Sequence, residues 1–424
     1  MDKTIQSVVK AELCHGCGTC AAACPTGAIE IIRDDRRGIY VPRIDVELCN
    51  RCSVCVEVCP GHEVDFESLN RSVFSEQPTD YGIGVYQACY TGYATDNDRR
   101  YFGASGGAVT ALLLSALDDG IIDGALVSRM SAENPLESES FIARAPEDII
   151  SAATSLYCPV SANLALGEIL KTEGKYAVVG LPCHLHGIRK FELLNKTLSG
   201  RIALHIGIFC GYTYSFQATD YLLHKLGIDK KDVAGIRYRG EGWPGGGAIS
   251  LKNGKKVDVP TFDLYSTLEF TFCPWRCTLC CDRTAELADI SCGDAWLPEL
   301  ADDTVGSSIL ITRTPRGQDI IRQAVEKRRL HTADIGPADV ARSQGYFVYK
   351  KIRIRFFLGL ARLLRKGVPR YATTLERLSF RHVVGASLQS VAQVFGRNSW
   401  LWPLIPLFHR LTRRFYSTTP DMSE

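Results

Sequence analysis

The stretch Cys14–Ile31, CHGCGTCAAACPTGAIEI, sets four cysteines in the rhythm C-x2-C-x2-C-x3-C-P: Cys14, Cys17, Cys20 and Cys24, then Pro25. The rhythm returns as CNRCSVCVEVCPG, with Cys49, Cys52, Cys55 and Cys59 before Pro60. Three thiolates on one short loop reach three corners of a compact iron–sulfur cube, and the fourth cysteine of each run serves the other cube. The spacing therefore predicts two [4Fe–4S] clusters. One is held by Cys14, Cys17, Cys20 and Cys59, the other by Cys49, Cys52, Cys55 and Cys24. Each proline presets the turn at the fourth ligand and stops a helix there. Zinc, which takes two C-x2-C pairs or pairs mixed with histidine, fits two complete runs poorly. The chain has 17 cysteines, and its first residues, MDKTIQSVVK, are charged and lack an apolar core. That combination predicts metal ligands in a reducing, cytoplasmic compartment rather than disulfides.

Outward from these runs, short strands are expected at AIEII and EVDF, closing a ferredoxin domain over 1–70. The polar stretch ESLNRSVFSEQPTD reads as a linker. From about Tyr81 strands and helices alternate. FGASGGAVTALLLSALDDG is a Gly-rich turn and an apolar helix, and IDGALVS is a strand. EDIISAATSLY and SANLALGEILKTEG read as helices. KYAVVGLPCHLHGIRKFELL is a buried strand, a turn and a helix, and RIALHIGIFCGY is another buried strand. Such alternation predicts an α/β sheet with helical cover. A strand-rich section starts near residue 235, and GSSILITRTPRGQDIIRQAVEKRRL returns to strand then helix. The expected domains are 1–70, 80–200, 201–348 and a basic helical tail over 349–424.

With 46% apolar and 23% charged residues in 424, the composition is that of an ordinary globular protein. The net charge of +2 hides an asymmetry: from Lys351 onward 13 Lys and Arg face 3 Asp and Glu. The apolar run Trp400–Phe408 falls short of the ~20 residues a spanning helix needs. The cationic, apolar end fits helices packed on their own core or on a partner subunit, and also a peripheral helix at a membrane interface. Nucleic acid is not expected as a partner.

Two further features carry chemistry. GASGGAVTALL places Ser105, Gly106 and Gly107 at a helix N-terminus, where free N–H groups and glycines suit the pyrophosphate of a dinucleotide such as FAD. A capped helix with glycines for tight packing explains the same pattern. Nine cysteines lie outside the two runs, four of them in CPWRCTLCCD. Cys277 and Cys280 form a C-x2-C pair, and Cys183 and Cys210 sit at the ends of two buried strands. Strand ends of this kind converge on the ligand crevice of α/β sheets. These four are the expected ligands of a third [4Fe–4S] cluster, with Cys273 and Cys281 as substitutes. Cys89, Cys158 and Cys292 read as small apolar core residues.

The segments YFGASGGAVTALLLSALDDGIIDGAL, VVGLPCHLHGIRKF, IGIFCGY, CTLCCDRTAELADISCGDAW and GSSILITRTPRG occur in that order. In this they resemble the coenzyme F420 hydrogenase/dehydrogenase β-subunit family. The resemblance runs from about residue 80 to residue 345. It implies an oxidoreductase with a flavin-binding α/β domain, FAD and Fe–S clusters, exchanging a hydride with coenzyme F420 and electrons with a protein partner. On this chain Ser105, Gly106 and Gly107 match the family's Gly-rich FAD segment, and Cys183, Cys210, Cys277 and Cys280 match its shared cysteines. Family members often carry Gln after the Pro-Cys pair, where this chain has His184. His184 and His186 are candidate proton donors beside a flavin; the plainer role for such residues is to cap or fill a helix start. The family also includes reductases of organic substrates fed by ferredoxin, and cluster-bearing subunits without a flavin are a further alternative.

Overall fold

A computed structural model describes residues 4–78, 82–260, 268, 270–372 and 380–416. The first helix, Ile5–Lys10, puts Ile5, Val8 and Val9 on one face and buries them. After the first cysteine run β1 (Ile29–Asp34) and β2 (Ile39–Ile44) form an antiparallel hairpin, Ile29 opposite Ile44 and Asp34 opposite Ile39. After the second run β3 is only Glu63–Val64. Asp65 ends it by capping a helix, Phe66–Phe74, its carboxylate accepting from the Ser68 N–H at 3.0 Å. This helix takes up much of the expected linker. Phe66 and Leu69, one turn apart, supply the buried face that the polar composition concealed.

The chain then lays down β4 (Ala88–Ala94), β5 (Gly124–Met130), β6 (Ser138–Ala143), β7 (Tyr176–Gly180) and β8 (Ile202–Ile208). A separate antiparallel sheet follows, with β10 (Gly247–Leu251) between β9 (Val233–Arg237) and β11 (Lys256–Val259). β12 (Ile290–Asp294), β13 (Ser308–Thr312) and β14 (Leu330–Ile335) return to the first sheet. Its order is β14-β4-β13-β12-β8-β7-β5-β6. The centre, β12-β8-β7-β5, is parallel, and both flanks are antiparallel. Ile206, Ile290, Ile309, Leu310 and Ile311 are fully buried, as strands covered on both faces require. One sheet thus runs across position 200, with β7 and β8 adjacent. The helices expected from EDIISAATSLY and SANLALGEILKTEG are shorter than their patterns, Pro146–Ser151 and Leu166–Ile169. Thr154 turns the chain with φ +87°, and a 3-10 turn at Ala162–Ala165 precedes the second.

The basic end forms helices Gly345–Leu363, Phe380–Arg397 and Ile405–Tyr416, and β15 (Arg370–Tyr371) pairs in parallel with β3. Ile354, Phe357, Leu358 and Ala361 share a core with Ile5, Val8, Leu13, Val64, Phe66 and Leu69 from the N-terminal segment and Trp275, Leu279 and Leu287 from the loop before β12. Each large apolar side chain there contributes roughly 1.5–3 kcal/mol. The apolar face therefore fixes the first of these helices; Arg355 and Arg362 are left outward, and Arg353 is buried. Among the described residues no helix is long and apolar enough to cross a membrane.

Candidate metal centres

The two cysteine runs lie against each other. Burial raises the Cys14 thiol, and the charges of Cys59 and Cys17 raise it further. Cys20 is raised by burial and then by Cys17, Cys14 and Cys59. Cys59 from the second run thus sits with three cysteines of the first. Around Cys55 the reverse holds: burial, then Cys52, Cys24 and Cys49. Cys24, Cys49, Cys52 and Cys55 line one cavity of about 330 Å³, counted to its open mouth. Gly18, at φ +87°, keeps the loop of the first run tight against the Leu164 backbone, where a Cβ would approach to 2.9 Å.

The third set also comes together. Cys183 follows β7 and Cys210 follows β8, at the same end of adjacent parallel strands, while Cys277 and Cys280 bracket the end of the short helix Trp275–Thr278. All four line a second cavity, about 540 Å³ to its mouth, with His15, Tyr212, Asp282 and Arg283 also on its wall. Cys183 is driven well up by burial, and then by Cys17, Cys210, Cys277 and Cys280. Cys17 belongs to the first set, so these two sets are neighbours. The electrostatic reach of Cys55 to Cys20 joins the other two. The twelve thiols therefore form a row: Cys24, Cys49, Cys52 and Cys55; then Cys14, Cys17, Cys20 and Cys59; then Cys183, Cys210, Cys277 and Cys280. Cys52, at the outer end, is the one exposed cysteine of the chain.

The donor chemistry fits iron–sulfur clusters: each set offers four soft thiols, and burial is deepest at Cys17, Cys20, Cys59 and Cys277. Among the described residues no three His, Cys, Asp or Glu side chains close on a point for a single ion. A cube gives each thiolate its own iron and asks for a wider set than one tetrahedral zinc. Cys273 and Cys281 are buried but do not line the cavity; Cys273 packs against Tyr212 and Cys277. Cys89, Cys158 and Cys292 lie in three separate apolar cores.

The row is held by polar contacts between the cysteine-run segment and the large sheet's helices. The Asn163 side-chain amide donates to Thr19 Oγ1 at 2.7 Å and to the His184 carbonyl at 2.9 Å, and Ser161 Oγ donates to the Gly16 carbonyl at 2.6 Å. Lys190 Nζ donates to the carbonyls of Cys59 at 3.0 Å and Glu63 at 2.7 Å. Gly187 lets its helix, Pro182–Leu194, lie against Thr19, whose Oγ1 would stand 2.3 Å from a Cβ. Sequence reading passed over Asn163, Lys190, Arg276 and Arg283. Only the last two carried a signal, as charged residues inside an apolar, Cys-rich stretch.

His184 and the Gly-rich turn each have close neighbours within the fold. His184 Nδ1 accepts from the Leu181 N–H at 3.2 Å, and Nε2 lies 3.2 Å from the Val160 carbonyl, to which it donates. Burial lowers its pKa to about 4 despite that carbonyl. Nδ1 thus caps the start of the helix, and Nε2 ties the ring to a carbonyl outside it. His186 Nε2 is bonded to Asp282 Oδ2 at 2.8 Å. At the Gly-rich turn, Gly106 and Gly107 take φ +85° and +66°, and helix Ala108–Asp118 follows with no side-chain cap from Ser105. A Cβ on Gly106 would meet the Gly306 carbonyl at 2.8 Å, and one on Gly107 the Arg99 carbonyl at 2.3 Å. Tight packing against the chain's own backbone accounts for these glycines.

The profile described as "Coenzyme F420 hydrogenase/dehydrogenase, beta subunit N-term" matches residues 89–167, and its "C terminus" counterpart matches residues 173–338. The chain belongs to this family. A "4Fe-4S dicluster domain" profile matches residues 13–62. The coenzyme F420 hydrogenase subunit beta of Methanothermobacter thermautotrophicus is 30% identical over 264 residues, which is 60% of this chain and 86% of that protein. The coenzyme F420-dependent sulfite reductase of Methanocaldococcus jannaschii is 30% identical over 341 residues, 76% of this chain but 47% of that longer protein. Among solved structures, a chain of the F420-reducing [NiFe] hydrogenase complex from Methanosarcina barkeri superposes with a TM-score of 0.54 at 22% identity. It covers 68% of this chain and 97% of its own length, which shows a shared fold.

Proposed function

We propose that this protein is an electron-transfer oxidoreductase that passes electrons between the two-electron carrier coenzyme F420 and a one-electron protein partner, along three [4Fe–4S] clusters. The observation that carries it is the continuous row of twelve thiols ending at the four-cysteine cavity, within a chain of the F420 β-subunit family. Clusters, when bound, exchange single electrons at potentials set by their surroundings. Cys52 places the outermost set at the surface, where a partner protein has access. Cys17, Cys20, Cys59 and Cys277 are buried, which limits water at the inner sets. FAD belongs to this reading as the group that, when bound, converts a hydride's two electrons into single ones; no residue is assigned to it.

Anaerobically purified protein tests the reading. It should carry about twelve iron atoms, four for each cube, and show a flavin band above the broad cluster absorbance. F420H2 should bleach that band. A protein with about twelve irons that is reduced by ferredoxin and not by F420H2 would instead be a ferredoxin-fed reductase, and one without a flavin band a cluster-only subunit.

A further inference from the structure

Two arginines beside the four-cysteine cavity are buried without a counter-ion. Arg276 and Arg283 are 2% and 1% exposed. Neither has an ion-pair partner among the described residues. Arg283, on the cavity wall, donates Nη1 to the Gly211 carbonyl and Nη2 to the Cys277 carbonyl at 3.4 Å, and its Nε has no partner. Arg276 donates Nη2 to the Pro60 carbonyl at 3.1 Å, and its Nε and Nη1 have none. The groups near Arg283 that can turn negative are Tyr212, Cys280, Cys210 and Cys273. Those near Arg276 are Tyr371, Cys280 and Cys281. His15, on the same wall, has both ring nitrogens unpartnered.

An unpaired buried cation is unfavourable by several kcal/mol. Two of them, both hydrogen-bonded to carbonyls of cysteine loops, call for a buried anion between them. Four thiolates on a cubane core supply one, since the assembly carries net negative charge and gains another on reduction. The position of Arg276 adds a second feature. It precedes Cys277 in the chain, yet it bonds the residue after Cys59, a ligand of the first run. Its guanidinium therefore links the Cys277–Cys280 loop to the turn after Cys59.

We propose that Arg283 is the fixed counter-charge of the cluster on Cys183, Cys210, Cys277 and Cys280, and that Arg276 is a counter-charge shared by that cluster and its neighbour on Cys14, Cys17, Cys20 and Cys59. They are positioning residues that favour the reduced form, because a nearby cation stabilises the more negative state. The proposal rests on the third cluster in the reading above. The test is a redox titration of the holoprotein followed by electron paramagnetic resonance, with iron analysis. Arg283→Gln should shift the innermost potential downward and leave the other two in place. Arg276→Gln should shift the two inner potentials downward and leave the one at Cys24, Cys49, Cys52 and Cys55 unmoved. Arg283→Lys and Arg276→Lys should restore most of each shift. Loss of the inner cluster in a Gln variant with retention in its Lys variant also supports a charge requirement. Loss in both assigns the arginines to folding and overturns the proposal, as do unmoved potentials in fully loaded Gln variants. Wild-type protein with about eight irons overturns the third cluster itself, a result distinct from unmoved potentials at about twelve.

Discussion

His205 shows how much a single buried residue can set. It sits in β8 with Nδ1 3.0 Å from Asp289 Oδ2 and Nε2 3.1 Å from Glu192 Oε1, and Arg189 reaches both carboxylates. Burial and Arg189 oppose a charge on the ring, but Glu192 and Asp289 outweigh them and hold His205 above its usual range. A raised histidine contributes stability that is complete below its unfolded value of about 6.5 and is lost as pH rises through its folded value. The two carboxylates are both held low, against their own burial, largely by His205. Their contribution is present above about pH 4 and is lost on acidification. Thermal melts should therefore show falling stability on the alkaline side, and His205→Gln should flatten that fall. An unaltered slope in the variant would assign it to other groups. For the cysteines, Cys277→Ser should remove about a third of the iron and leave the dicluster segment loaded. Unchanged iron content would make that thiol structural. Cys281→Ser should keep all of it. The eight cysteines of the two runs were legible from spacing alone. Lys190, Arg276 and Arg283 were not, because their partners are backbone carbonyls far away in sequence, which leave no pattern.

Elements were legible where their own pattern decided them. β7, β8 and β13 are apolar runs closed by turn residues, and they lie where the pattern puts them. Helix Phe66–Phe74 was hidden because its three buried residues, Phe66, Leu69 and Asn70, include a polar one and its start is a cap. The close approach of helix Pro182–Leu194 to the first cysteine run is equally invisible in sequence. It depends on Gly187 meeting Thr19, and Gly187→Val should lower stability by about 1–3 kcal/mol through that clash. A melting temperature like the wild type's would show that Thr19 moves aside freely. Gly106→Val should destabilise the fold whether or not flavin is bound, since its side chain meets the Gly306 carbonyl. The basic end reads as charged helices, but its first helix is fixed by Phe357 and the apolar residues one turn away on either side. Phe357→Ala should cost about 3–5 kcal/mol, read by denaturant titration. A loss under about 1 kcal/mol would mean that this face is not packed as described.

The whole molecule is tied together by the core that joins the N-terminal segment, the loop around Cys277–Cys280 and the helix Gly345–Leu363. Calorimetry of the loaded protein should therefore show the cysteine-run segment melting together with the large sheet. A separate, earlier transition for residues 4–78 would contradict a shared core. The sequence by itself determined the dicluster segment, because cysteine spacing on a short loop is local geometry. It determined the alternation that makes an α/β sheet, and the motifs that mark the family. Tertiary structure alone decided that the three thiol sets form one row, that His184 caps a helix, and that the Gly-rich turn packs against its own chain. Those outcomes depend on which distant backbone occupies the neighbouring space, and no local pattern encodes that.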